Sequence, residues 1–103
     1  MQIQFILQFR GDARAQYDQV TDPLETLAAT LKGLANLDGD DVGAHGVNVF
    51  LFTNDVHATF ERALDVFPGA RAAAGFSAAY RQVSNDTFQI LWPENSPSKF
   101  QLR

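Results

Sequence analysis

The chain has no cysteine, one tryptophan, one methionine and only eight Lys plus Arg residues among 103. Each shortage excludes something. Without Cys there is no disulfide framework, no thiolate zinc site and no cysteine nucleophile. The eight basic residues face twelve acidic ones, for a net charge of −4 and a pI near 4.8. That balance leaves no basic stripe to displace counterions from phosphate, which argues against nucleic acid as a partner. No apolar run approaches the roughly 18–20 residues of a membrane span, so no membrane partner is expected. The opening residues Met1 to Arg10 carry neither a basic leader nor an unbroken apolar stretch, so they do not read as a signal peptide. The expected location is the cytoplasm, with which the lack of Cys agrees.

What is present is apolar material: 46% of the residues, nine of them Phe. That is enough to offset chain entropy, so the chain is not expected to be disordered. Its length suits a single domain, read as residues 1–93 with a tail at 94–103. In the tail, Phe100 and Leu102 stand two apart, which fits a short docked strand or a frayed end equally well.

Periodicity supplies the elements. Ile3, Phe5, Leu7 and Phe9 alternate with Gln4, Ile6 and Gln8, the period of a strand with one buried face. Asp22-Pro23-Leu24-Glu25 opens a helix, with Asp22 as cap and Pro23 at the first helical position. Its apolar stripe is Leu24, Leu27, Ala28, Leu31, Leu34 and Ala35, with Asn36 or Gly39 as its end and Gly33 as an internal weakness of about 1 kcal/mol. Asp38 to Gly46 leaves room for a short edge strand and a tight turn. Val47 to Thr53 is apolar on both faces, as in a central strand. Thr53, Asn54 or Asp55 then caps a second helix with the stripe Val56, Phe60, Ala63, Leu64 and Phe67, stopped by Pro68-Gly69. Periodicity does not decide between a helical turn and a loop for the alanine-rich stretch from Ala70 to Ala79. Tyr80 to Val83 and Thr87 to Trp92 flank Ser84-Asn85-Asp86 as a hairpin, and Pro93 ends the pairing.

This order predicts an α+β fold: a ferredoxin-like βαββαβ sandwich, with two helices on one face of an antiparallel sheet and an extra C-terminal strand. The two most apolar strands are then central neighbours. Because the third strand is apolar on both sides, an apolar strip is expected on the helix-free face, framed by Gln2, Gln4 and Gln8. A second subunit, the tail or a ligand would cover it. A homodimer through this open sheet face ranks first.

Candidate chemistry is sparse. Asp38, Asp40 and Asp41, followed by His45, suggest a hard-cation site. The calcium-loop pattern fails at Val42 and Val49, so a turn supported by Asp40 or Asp41, with Gly39 and Gly43 at positive φ, is favoured. Asn48, polar within an apolar strand, needs partners if buried. It either orients a ligand or, as the favoured reading, bonds the backbone of a neighbouring loop. His45 as a general base would need an orienting carboxylate such as Asp41. His57, in a first helical turn, reads as a surface residue. Arg10, Arg14 and Arg81 suggest an anion site, with Tyr80 and Trp92 as stacking partners. Asp41, His45, Asn48 and Tyr80 are therefore the candidate ligand-binding residues. No nucleophile elbow, phosphate loop or paired metal-spaced histidines appear, so no catalytic residue, metal or cofactor is expected.

The segments Asp38-Gly39-Asp40-Asp41-Val42-Gly43, Asn48 to Asp55 and Ile90-Leu91-Trp92-Pro93 carry a resemblance. Over residues 36–93 the chain looks like a family of small, uncharacterised bacterial ferredoxin-like proteins with an acidic-glycine turn, an Asn-bearing strand and a terminal Leu-Trp-Pro. The likeness implies no activity or cofactor. It implies that Asp41, Gly43, Asn48, Thr53, Asp55 and Trp92 form one unit. In size and charge the chain also resembles immunity proteins that neutralise basic toxins. The functional expectation is a non-catalytic binding or interaction module for a protein or small molecule. The alternatives are a small enzyme or ligand sensor with a pocket near Asp41, His45 and Asn48, and an immunity-like inhibitor.

Overall fold

The structure, a computed structural model, describes residues 3–11, 22–43, 46–72 and 75–93. His45, Arg14 and the tail residues Phe100 and Leu102 lie outside them. The elements are β1 (Ile3–Arg10), α1 (Leu24–Thr30), β2 (Ala35–Gly43), β3 (Gly46–Thr53), α2 (Val56–Val66), a 3₁₀ turn (Ala70–Ala72), β4 (Phe76–Gln82) and β5 (Gln89–Trp92). The sheet order is β2-β3-β1-β4-β5, antiparallel throughout. This is the ferredoxin-like sandwich with an added strand, and β1 and β3 are central neighbours. Among the described residues, no helix is long and apolar enough to cross a membrane.

Alternation along β1 decides the faces. Ile3, Phe5, Leu7 and Phe9 join the core under the helices, with Val47, Val49 and Leu51 of β3 and Phe76 and Ala78 of β4. Five of the nine Phe residues meet there. The Phe5 ring lies edge-on to Phe60 at 6.2 Å, Phe60 stacks on Phe76 at 6.4 Å, and Phe9 touches Phe67 at 5.1 Å and Phe76 at 5.2 Å. Such pairs contribute about 0.5–1.5 kcal/mol each beyond the burial of their area.

α2 follows its sequence closely. Asp55 caps it, its carboxylate accepting from the Ala58 N–H at 3.1 Å, and Val56, Phe60 and Ala63 are buried. Two threonines fasten the joint between β3 and α2. The Thr59 hydroxyl donates to the Asp55 carbonyl at 2.7 Å and lies 2.7 Å from the Thr53 hydroxyl. Thr53 Oγ1 in turn reaches the Leu34 carbonyl at 3.2 Å and accepts from the Asp55 N–H at 3.0 Å. Both side chains are fully buried, so this network satisfies groups that would otherwise cost about 1–3 kcal/mol.

Three expectations are corrected. α1 ends at Thr30, not at Asn36 or Gly39. The chain turns through Leu31–Leu34, with Gly33 at φ +84° and the Ala35 N–H bonded to the Leu31 carbonyl at 2.9 Å. Ala35 therefore begins the edge strand instead of ending a helix. Its cap position is Pro23, and no side chain caps it, so Asp22 lacks the expected role. The acidic segment is mostly strand as well: Asp38, Asp40 and Asp41 all lie in β2, with a bulge between Leu37 and Gly39. Gly39 pairs with Phe50 and has no positive φ; Gly46 has one instead.

At the other edge, β4 starts at Phe76, four residues before the expected strand, and β5 starts at Gln89. Asn85 explains the later start. Its side chain accepts from the Thr87 N–H at 2.9 Å, turning the chain before pairing resumes. Arg81 clasps the same loop, donating to the carbonyls of Val83 at 3.2 Å and Asn85 at 2.9 Å.

Candidate functional site

The helix-free face carries Gln4, Ile6, Gln8 and Arg10 of β1 and Asn48, Phe50 and Phe52 of β3. Antiparallel register arranges them in rows. Phe52 pairs with Gln4 and Asn36, and Gln4 with Arg81. Phe50 pairs with Ile6 and Gly39, and Ile6 leads through Ala79 to Ile90. Asp41, Asn48, Gln8 and Ser77 form the third row. An apolar row thus runs between two polar ones, the strip expected from the doubly apolar strand.

The polar third row is joined by hydrogen bonds. Gln8 Nε2 donates to Asn48 Oδ1 at 3.0 Å, while Gln8 Oε1 accepts from Arg10 Nε at 3.2 Å and from Ser77 Oγ at 3.4 Å. Gln8 is 2% exposed and Asn48 1% exposed. Asn48 thus has Gln8, on the neighbouring central strand, as a side-chain partner. Gln8 was missed as a site residue, since it looks like one more solvent-facing glutamine beside Gln2 and Gln4. The signal was available in the pairing: a β1–β3 register that sets Gln8 opposite Asn48 places two amides at hydrogen-bonding distance.

A double-mutant cycle tests this pair. Gln8→Leu or Asn48→Leu alone is expected to cost about 1–3 kcal/mol, because each strands a buried polar partner. The double variant should lose clearly less than the sum, as shape is kept and both polar groups leave together. Chemical denaturation reads it; strict additivity would dissolve the pair as a unit.

The candidate residues do not all converge. Asp41 and Asn48 are register partners on the helix-free face, with Asp41 exposed. Tyr80 is elsewhere. It pairs with Phe5, packs against the core on the helix side and donates its hydroxyl to Gln89 Oε1 at 3.0 Å. The anion cluster is also divided. Arg10 bonds Gln8, whereas Arg81 donates to Gln4 Oε1 at 2.8 Å and lies over the Phe88 ring. His57 is exposed on α2. The unit implied by the resemblance is spread over three places: Asp41, Gly43 and Asn48 at one end of β3, Thr53 and Asp55 at the other, and Trp92 on β5. Among the described residues, no group of three or more His, Asp or Glu is placed to hold a metal ion.

Burial across the helix-free face is uneven. Ile6 and Ala79, on β1 and β4, are fully buried. Phe50 and Phe52 remain half-buried, flanked on β2 by Gly39, which brings no side chain, and by the exposed Asn36. Beyond a Cβ built on Gly39 there is open space. The accessible apolar surface therefore lies in the β2–β3 half, beside an edge strand bearing Asp38, Asp40, Asp41 and an exposed Val42.

No protein-family model matches this chain, and neither a curated protein nor a solved structure is significantly similar to it.

Proposed function

We propose that the chain is a non-catalytic interaction module that captures a cationic protein partner on the β2–β3 half of its helix-free sheet face. The incompletely buried Phe50 and Phe52 carry this reading, since aromatic surface left in contact with water on a central strand is costly without an occupant. Charge supports the choice of partner. Asp41 lies on this face and Asp38 and Asp40 are exposed along the same edge strand, while the one ion pair among the described residues lies elsewhere, between Arg71 and Glu61. Like charges would oppose a second copy approaching along that edge, whereas a basic partner is steered toward it. The same chemistry is what an immunity-like inhibitor of a basic protein would use.

Replacing Phe50 and Phe52 together by Gln tests the reading. The fold should survive, with a melting temperature lowered by less than Phe5→Ala lowers it. Micromolar binding of a synthetic peptide of alternating Lys and Val, followed by fluorescence anisotropy, should weaken at least tenfold. Raising the salt should weaken it too, because the attraction is screened. Light scattering of the chain alone separates the homodimer: a dimer lost in the Phe50/Phe52 variant would make a second copy the occupant.

A ligand sensor with a pocket at Asp41, His45 and Asn48 is the second reading, favoured by the pairing of Asp41 with Asn48. Asp41→Ala is its clean probe. Asp41 is exposed, so its loss should leave stability within about 0.5 kcal/mol, while ligand binding at such a pocket would fall sharply.

A further inference from the structure

β5 is the least secured strand of the sheet. It has four residues, none fully buried, and its pairing with β4 shifts register between Ala78 and Ala79. The loop that leads to it, 83–88, is exposed except for Phe88. Regions with few buried contacts and exposed hydrogen bonds open separately from the body of a domain.

Leu91 and Trp92 pack against the rim of the core, and Arg71 ties the end of this strand to the helix layer. The Arg71 guanidinium lies 5.5 Å from the centre of the Trp92 ring and 5.6 Å from that of Phe60. Its Nη2 donates to Glu61 Oε1 at 2.8 Å, which orients it from α2. Phe60 belongs to the core, 5% exposed, so the cation joins a fixed ring to the ring at the end of β5. Arg71 suits both tasks, since a planar guanidinium stacks on aromatic faces while forking to a carboxylate.

We propose that β5 is a latch that undocks from the sheet on its own, with Arg71 as its catch. When it opens, the backbone groups of Ala78, Ala79 and Tyr80 become a free sheet edge and Trp92 meets water. Closing restores the fifth strand. The latch lies on the edge opposite the acidic β2, so it stands apart from the interaction surface proposed above.

Trp92 is the only tryptophan in the chain and reports the latch directly. In Arg71→Ala, its emission should shift to the red and its quenching by acrylamide should rise. Amide exchange in β5 should quicken about fivefold, the change expected from losing one such contact. Amides of β1 and β3 should keep their protection. Arg71→Lys, which keeps the charge but not the planar fork, should fall between. The proposal is overturned if Arg71→Ala leaves Trp92 emission and β5 exchange unchanged. It is equally overturned if protection falls alike in β1, β3 and β5, since the strand would then be opening only with the whole domain.

Discussion

Gly46→Ala is expected to lower stability by about 4 kcal/mol or more, a loss at the far end of what single substitutions do. Gly46 begins β3 opposite Arg10, at φ +148°. A Cβ there would stand 2.0 Å from the Phe9 carbonyl oxygen and 2.8 Å from the Arg10 Cα. Both are backbone atoms of the central strand, so no rotamer change relieves the clash. The two most apolar strands would have to part at the pair that starts their ladder. Gly33→Ala is the matching control. Gly33 also has positive φ, +84°, but open space surrounds its Cβ position, so only backbone strain of about 1–2 kcal/mol is expected. Thermal unfolding compares them, each kcal/mol being worth roughly 4–8 °C in a domain of this size. Equal losses in the two variants would mean that the close approach of the strands does not matter.

The second large effect is Phe5→Ala, expected to cost about 3–5 kcal/mol. Phe5 is fully buried on β1, its ring edge-on to Phe60, and truncation leaves a cavity between the sheet and α2. Phe50→Ala, on the opposite face of β3, is the comparison. Phe50 is half-buried and flanked by Gly39, so less than half that loss is expected. The contrast measures how differently one sheet uses its two faces. Losses of similar size would mean that Phe50 is a core residue, which would remove the main support for an interaction surface there.

How much of this was legible in the sequence depended on side-chain period. β1 and β3 were readable because alternation in one and apolar residues on both sides of the other have few alternative explanations. α2 was readable in its stripe Val56, Phe60 and Ala63 and its stop at Pro68-Gly69, while its cap stayed open among Thr53, Asn54 and Asp55, any of which can accept from a first-turn N–H. The start of β2 was not. Leu31, Leu34 and Ala35 continue a helical spacing, and only the left-handed backbone at Gly33 breaks it. β4 was hidden in its first half because Ala78 and Ala79 favour no strand period. They are fully buried all the same, beside Leu7 and Ile6 of β1. The site was half legible. Asn48 was recognisable as a polar residue in an apolar strand, but Gln8 was disguised by Gln2 and Gln4. Tyr80 has the chemistry of a site residue, but the parity of β4 turns it to the other face.

The β2–β3 half of the helix-free face is proposed to receive a cationic partner. Amide chemical-shift mapping tests it most directly, with the Lys–Val peptide titrated into the labelled chain. The largest shifts are expected along Ala35–Gly43 and at Phe50 and Phe52, diminishing as salt is raised. Shifts centred on the exposed faces of α1 and α2, or none at the concentrations where anisotropy reports binding, would contradict it.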